Sequence, residues 1–114
     1  MDWTVELTEA SRKDFEELDG SVKPVVLKAL EKIARNPLPV QEGGYGKPLG
    51  IKVHNDLSGL YKIKLLKQGI RIVYGLKRIR QTLTVVIIAL RSDNEVYDLA
   101  GKRIQLMKDL DKNK

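Results

Sequence analysis

Between positions 57 and 92 the chain carries eight basic residues and no acidic one. Several of the bases alternate along strand-like sequence. Lys62 and Lys64 stand in Tyr61-Lys62-Ile63-Lys64-Leu65, and Arg71 stands in Gly69-Ile70-Arg71-Ile72-Val73-Tyr74. A period of two puts alternate side chains on one sheet face, so this segment builds a positively charged surface suited to a polyanion. Downstream, Leu90-Arg91-Ser92-Asp93-Asn94-Glu95-Val96-Tyr97 adds a further arginine and an exposed-looking tyrosine. Such a ring could stack on a base, and cations beside an aromatic point to RNA chemistry.

The elements that must position these residues follow from pattern. If residues 66–69 form the hairpin turn, with Gly69 in the left-handed position, Lys64 faces Arg71 and Leu65 faces Ile70. One face then carries Tyr61, Ile63, Leu65, Ile70, Ile72 and Tyr74, and the other carries Lys62, Lys64, Arg71 and Val73. A shorter turn would set Lys64 beside Ile72 and mix the faces. Residues 83–90 are apolar on both parities, the mark of a strand covered on two sides. Ser92 and Glu95 have capping-box spacing, and Val96, Leu99, Ala100, Ile104, Met107 and Leu110 form a stripe down a last helix.

Towards the N-terminus, residues 3–7 alternate as a short half-buried strand. Thr8 caps a helix reaching about residue 18, which Asp19-Gly20 ends. A second helix begins near Ser21 with Pro24 in its first turn and the stripe Val22, Val26, Ala29, Leu30 and Ile33. The two helices make a hairpin. Between positions 36 and 56, Pro37, Pro39, Gly43, Gly44, Gly46, Pro48 and Gly50 predict a long loop with a short strand near 51–53.

Composition bounds the class. The chain has 114 residues, 32% charged and 42% hydrophobic, with a net charge of +6, which describes one folded basic domain over 1–114 rather than a disordered tail. It lacks cysteine, so disulfides, zinc ribbons and thiol catalysis are excluded. The apolar run at 85–90 is too short to span a bilayer and the N-terminus does not read as a signal peptide, so cytoplasmic placement is expected, away from membranes.

From Lys47 to about Ile104 the sequence resembles the RelE-type toxins of bacterial toxin–antitoxin systems. The motifs that carry the resemblance are Lys47-Pro48-Leu49-Gly50, Leu60-Tyr61-Lys62-Ile63-Lys64-Leu65, Gly69-Ile70-Arg71-Ile72-Val73-Tyr74 and Glu95-Val96-Tyr97. The resemblance implies an α+β fold, with a small antiparallel sheet packed against an N-terminal helix hairpin and a C-terminal helix. It implies a ribosome-dependent messenger RNA endonuclease that works in the decoding site, with no metal and no cofactor. Its partners would be a cognate acidic antitoxin, the 70S ribosome and mRNA, with operator DNA reached only through the antitoxin.

Cutting RNA through its own 2′-hydroxyl requires deprotonating that hydroxyl, stabilising a phosphorane and protonating the leaving 5′-oxygen. The lone histidine, His54, lies in a different segment and reads as a structural or solvent histidine rather than a base. A cluster of cations can substitute where like charges lower one another's hold on protons. By family precedent Lys62 is the general base, Arg91 the general acid or electrostatic donor, Lys64 and Arg71 the phosphate clamps, and Tyr97 a stacking platform. Lys67, Lys77, Arg78 and Arg80 would add nonspecific phosphate attraction.

Blander readings stand beside these. Alternating lysines can be the wet face of a half-buried sheet, Arg91 could pair with Asp93, and Tyr97 could pack the last helix. Tyr45 and its glycines could form a substrate lip or a plain flexible loop. The sequence also departs from the family pattern: Leu90 and Asp93 replace basic residues around Arg91, and the 36–56 loop is longer than in compact members. Rival functions are a ParE-like gyrase inhibitor and a noncatalytic RNA- or antitoxin-binding relative.

Overall fold

A computed structural model of the protein describes residues 2–52, 55–90 and 92–112, with positions 107–112 described by backbone alone. The chain runs β1 (Thr4–Leu7), α1 (Glu9–Glu16), α2 (Lys23–Arg35), a 3-10 turn (Val40–Glu42), β2 (Lys47–Lys52), β3 (Asn55–Leu65), β4 (Ile70–Lys77), β5 (Thr82–Ala89) and α3 (Asp93–Lys112). The strands form one sheet in the order β1-β5-β4-β3-β2. Four of them pair antiparallel, and β1 joins β5 in parallel, so the sheet is mixed. No helix among the described residues is long and apolar enough to cross a membrane.

The β3–β4 hairpin takes the register its pattern predicts, with Lys64 opposite Arg71 and Leu65 opposite Ile70. Gly69, at φ +67°, supplies the left-handed residue that closes the turn. Alternation then sorts the side chains. Ile70, Ile72 and Tyr74 enter a core with Val26, Leu30 and Ile33 of α2, whereas Val73 turns to the opposite face and packs under α3. β5 is buried on both faces, as its apolar run predicts: Leu83, Val85 and Ile88 serve the first core and Val86, Ile87 and Ala89 the second. A bulge makes this possible, because Tyr74 pairs with Val85 but Val73 pairs with Ile87, so Val86 and Ile87 both reach the second core.

Helices α1 and α2 cover the first face. The Thr8 Oγ1 accepts the Ser11 N–H at 3.1 Å and starts α1, and Pro24 sits in the first turn of α2, where a missing N–H costs nothing. The expected long loop at 36–56 is corrected. It holds β2 and the start of β3, because β2 is an edge strand on which Pro48 needs no ladder partner. Gly50, at φ +63°, absorbs the register shift between Pro48 and Gly50.

On the second face α3 docks Val96, Tyr97 and Ala100 onto Leu57, Leu60, Val73, Val86 and Ile87. The Ser92 Oγ accepts the Glu95 N–H at 3.4 Å and donates to Glu95 Oε1 at 3.1 Å, so the predicted cap forms through the serine hydroxyl. Leu99 and Ile104 join the same stripe. The side chains of Met107 and Leu110, expected to continue it, lie outside the described residues.

Candidate functional site

The hairpin register puts Lys62, Lys64 and Arg71 on the α3 side of the sheet, and the first residue of α3 is Asp93. One carboxylate gathers the three cations. Arg71 Nε donates to Asp93 Oδ1 at 2.5 Å and Lys64 Nζ donates to Oδ2 at 3.0 Å. Lys62 Nζ lies 3.5 Å from Oδ1. A carboxylate in the first turn is also favoured by the positive end of the helix dipole. Lys62 is 5% exposed, and its Nζ donates to the Tyr97 hydroxyl at 2.5 Å.

Burial raises the Asp93 carboxyl, but hydrogen bonds from Arg71 and Lys64 and the charges of Lys62 and Arg71 outweigh it. The group is held far below the usual carboxylate range. A folded pKa below the unfolded one means that pairing stabilises the fold above the ordinary carboxylate range and is lost as pH falls through it. Urea unfolding at pH 6 and pH 3 should therefore show a fall in stability on acidification, and Asp93→Asn should flatten that fall. Equal slopes in the two proteins would remove Asp93 from the account.

Tyr97 is not the exposed ring its sequence suggests. It is 6% exposed, because α3 turns Val96, Tyr97 and Ala100 into the sheet. Lys62 Nζ lies 5.0 Å and Lys52 Nζ 5.9 Å from its ring centroid. In this arrangement Tyr97 holds Lys62 through its hydroxyl and offers no open face to a base. Arg91 and His54 lie outside the described residues.

The remaining cations divide between the two ends of the hairpin. Lys67 sits exposed in the turn after β3, at the Lys64–Arg71 end. Lys77, Arg78 and Arg80 sit at the other end of β4, about 20 Å away at the usual strand rise. Arg78 there clamps Glu42 by donating from Nη1 and Nη2 at 2.9 and 2.7 Å, and Lys77 approaches Glu6 at 3.8 Å. The hydrogen bond from Arg78 lowers the Glu42 carboxyl. The structure thus brings Lys62, Lys64, Arg71 and Tyr97 together and sets Lys77, Arg78 and Arg80 apart.

Two features escaped the sequence reading. Asp93 looked like a neighbour of Arg91, yet it is the anion at the centre of the cluster. Its one signal was position, as the first acid after the long basic stretch. Arg103 of α3 pairs with Asp14 of α1 at 2.7 and 3.0 Å and also donates to the Val86 carbonyl at 2.8 Å. Nothing local marks that pair.

No family model matches the chain. A RelE-like toxin protein of Escherichia coli is 31% identical to it over 106 residues, which span 92% of this chain and 100% of that protein. The chain belongs to the RelE-like toxin family. Structures agree with the assignment. Free E. coli RelE carrying two arginine-to-alanine substitutions matches with a TM-score of 0.67 at 25% identity, covering 91% of this chain and 99% of that one. The toxin–antitoxin complex RelBE2 of Mycobacterium tuberculosis matches with a TM-score of 0.64 at 23% identity, covering 80% and 100%, and shows the shared fold. This RelE-like chain is accordingly a toxin of the toxin–antitoxin class, and its fold is the α+β arrangement expected from its motifs.

Proposed function

We propose that this toxin is a metal-independent endoribonuclease that cuts translated mRNA in the ribosomal A site. One observation carries the reading: Lys62, Lys64 and Arg71 already converge on a single oxyanion, the Asp93 carboxylate. A carboxylate presents its oxygens much as a phosphate does, so the same cations can clamp the scissile phosphate once Asp93 gives way. Lys64, which is exposed, and Arg71 would hold the phosphate oxygens. Lys62, fixed by Tyr97, would take the 2′-hydroxyl proton, and Arg91 would supply charge or a proton to the leaving oxygen. The family precedent and the separation of Lys77, Arg78 and Arg80 from this cluster support confining the chemistry to the α3 end.

In this reading the domain 1–114 acts in the cytoplasm and is silenced by a cognate acidic antitoxin, as the RelB partner of the M. tuberculosis relative suggests. Carboxylates on that partner would replace or reinforce Asp93 and block RNA entry, and operator DNA would be reached only through it. Expression without the antitoxin should stop translation while plasmid supercoiling stays intact. Primer extension on a reporter transcript should map cuts inside translated codons, and co-expression of the antitoxin should restore growth. Lost supercoiling with intact message would favour a gyrase inhibitor, and RNA affinity without cuts would favour a binding module.

A further inference from the structure

With Tyr97 buried, the exposed aromatic beside the cation cluster is Tyr45, which is 45% exposed. It borders a groove of about 450 Å³ between α2 and the edge of β3. Lys32, Lys47, Lys62 and Lys64 line this groove together with Ile63 and Leu65, and among the described residues no acidic side chain lines it. Lys32 Nζ lies 5.0 Å from the Tyr45 ring centroid. Lys47 stands opposite Lys62 in the β2–β3 ladder, so the groove is continuous with the site above.

The Tyr45 loop is built, not slack. Tyr45 N–H donates to the Asn36 carbonyl at 3.2 Å, Gly46 N–H to the Leu38 carbonyl at 3.1 Å, and Val40 N–H to the Gly46 carbonyl at 2.8 Å. The Asn36 side chain donates to the Gly43 carbonyl at 3.2 Å. Flanking glycines are required by close approach: a Cβ at Gly44 would strike the Leu38 carbonyl, and one at Gly46 the Tyr74 hydroxyl. That hydroxyl is itself pinned to the Pro37 carbonyl at 2.8 Å. A rigid loop therefore presents one aromatic face over a row of lysines, the combination that binds single-stranded nucleic acid by stacking and charge.

We propose that this groove is a second nucleotide subsite, in which a base of single-stranded RNA stacks on Tyr45 and its phosphate lies among Lys32, Lys47 and Lys64. The nucleotide held here is the neighbour of the one that is cut. That placement rests on the nuclease reading, but RNA binding in the groove does not. The apolar walls from Ile63 and Leu65 exclude water beneath the base, and the shared Lys64 links the two phosphates.

The test uses the full chain, assembled by chemical synthesis and refolded, and a short 2′-O-methyl RNA carrying 2-aminopurine, which cannot be cut. Wild type should bind it and quench the 2-aminopurine. Tyr45→Ala should weaken binding about 10-fold and abolish the quench, and Tyr45→Phe should keep both. Lys32→Ala should weaken binding chiefly at low salt. Wild-type binding and quenching by Tyr45→Ala would overturn the subsite, as would failure of the wild type to bind. The same proteins are assayed for cleavage on programmed ribosomes. If wild type cuts and Tyr45→Ala behaves like it in every assay, the subsite is wrong and the nuclease stands. If nothing cuts but Tyr45→Ala loses binding, the subsite stands and the nuclease is wrong.

Discussion

On programmed ribosomes, Lys62→Met is expected to slow single-turnover cleavage by about 10²-fold or more, the usual loss on removing an acid–base group. The substitution keeps the length and apolar stem of the side chain while deleting its ammonium. Asp93 retains Arg71 and Lys64 as partners, so the fold should survive, and thermal melts would confirm it. Arg91→Ala should lose a comparable factor with little change in ribosome affinity, since a donor used only in the transition state leaves ground-state binding alone. Lys77→Ala, at the far end of β4, should lose only weak, salt-sensitive attraction. Tyr97→Phe separates two roles. A stacking ring tolerates losing its hydroxyl, whereas a hydroxyl that holds Lys62 does not, and the burial of Tyr97 predicts a slowed variant. Wild-type rates in both Lys62→Met and Arg91→Ala would sink the assigned site.

The hairpin was legible because its two signals are local and agree. Alternation fixed which residues share a face, and Gly69 fixed the turn, so the convergence of Lys62, Lys64 and Arg71 followed without a structure. Thr8 and Ser92 marked helix starts for the same reason: a cap is a contact within three residues. β2 was legible only at its end, near 51–52, because Pro48 and Gly50 break a central strand but are tolerated on an edge with a bulge, and edge position is a property of the whole sheet. Tyr97 misled through its company. It closes the polar run Arg91-Ser92-Asp93-Asn94-Glu95, while the phase of α3 sends it inward with Val96 and Ala100. The role of Asp93 depends on strand order bringing positions 64 and 71 to the start of α3, which no spacing along the chain encodes.

Asp14→Ala is expected to lower stability by about 2–4 kcal/mol, the largest structural loss anticipated in this fold. Asp14 accepts two bonds from Arg103 and a third from the Ile88 N–H at 3.1 Å, joining α1, β5 and α3. Both side chains of the pair are less than a fifth exposed, at 17% and 18%. Removing the carboxylate leaves a guanidinium and a backbone N–H short of partners in a poorly solvated place, which costs more than the intact pair contributes. Arg103→Met in the Asp14→Ala background should recover part of the loss, because the uncompensated charge goes with it. Urea midpoints at constant m-value would measure both effects. The consequence reaches the site, since Arg103 anchors the helix whose first residue is Asp93. With that anchor gone, amides of α3 should exchange faster and the cations should bind an added polyanion more tightly, as Asp93 is held over them less firmly. A single variant within about 0.5 kcal/mol of wild type, the range of an ordinary surface change, would show that the pair does not fasten α3.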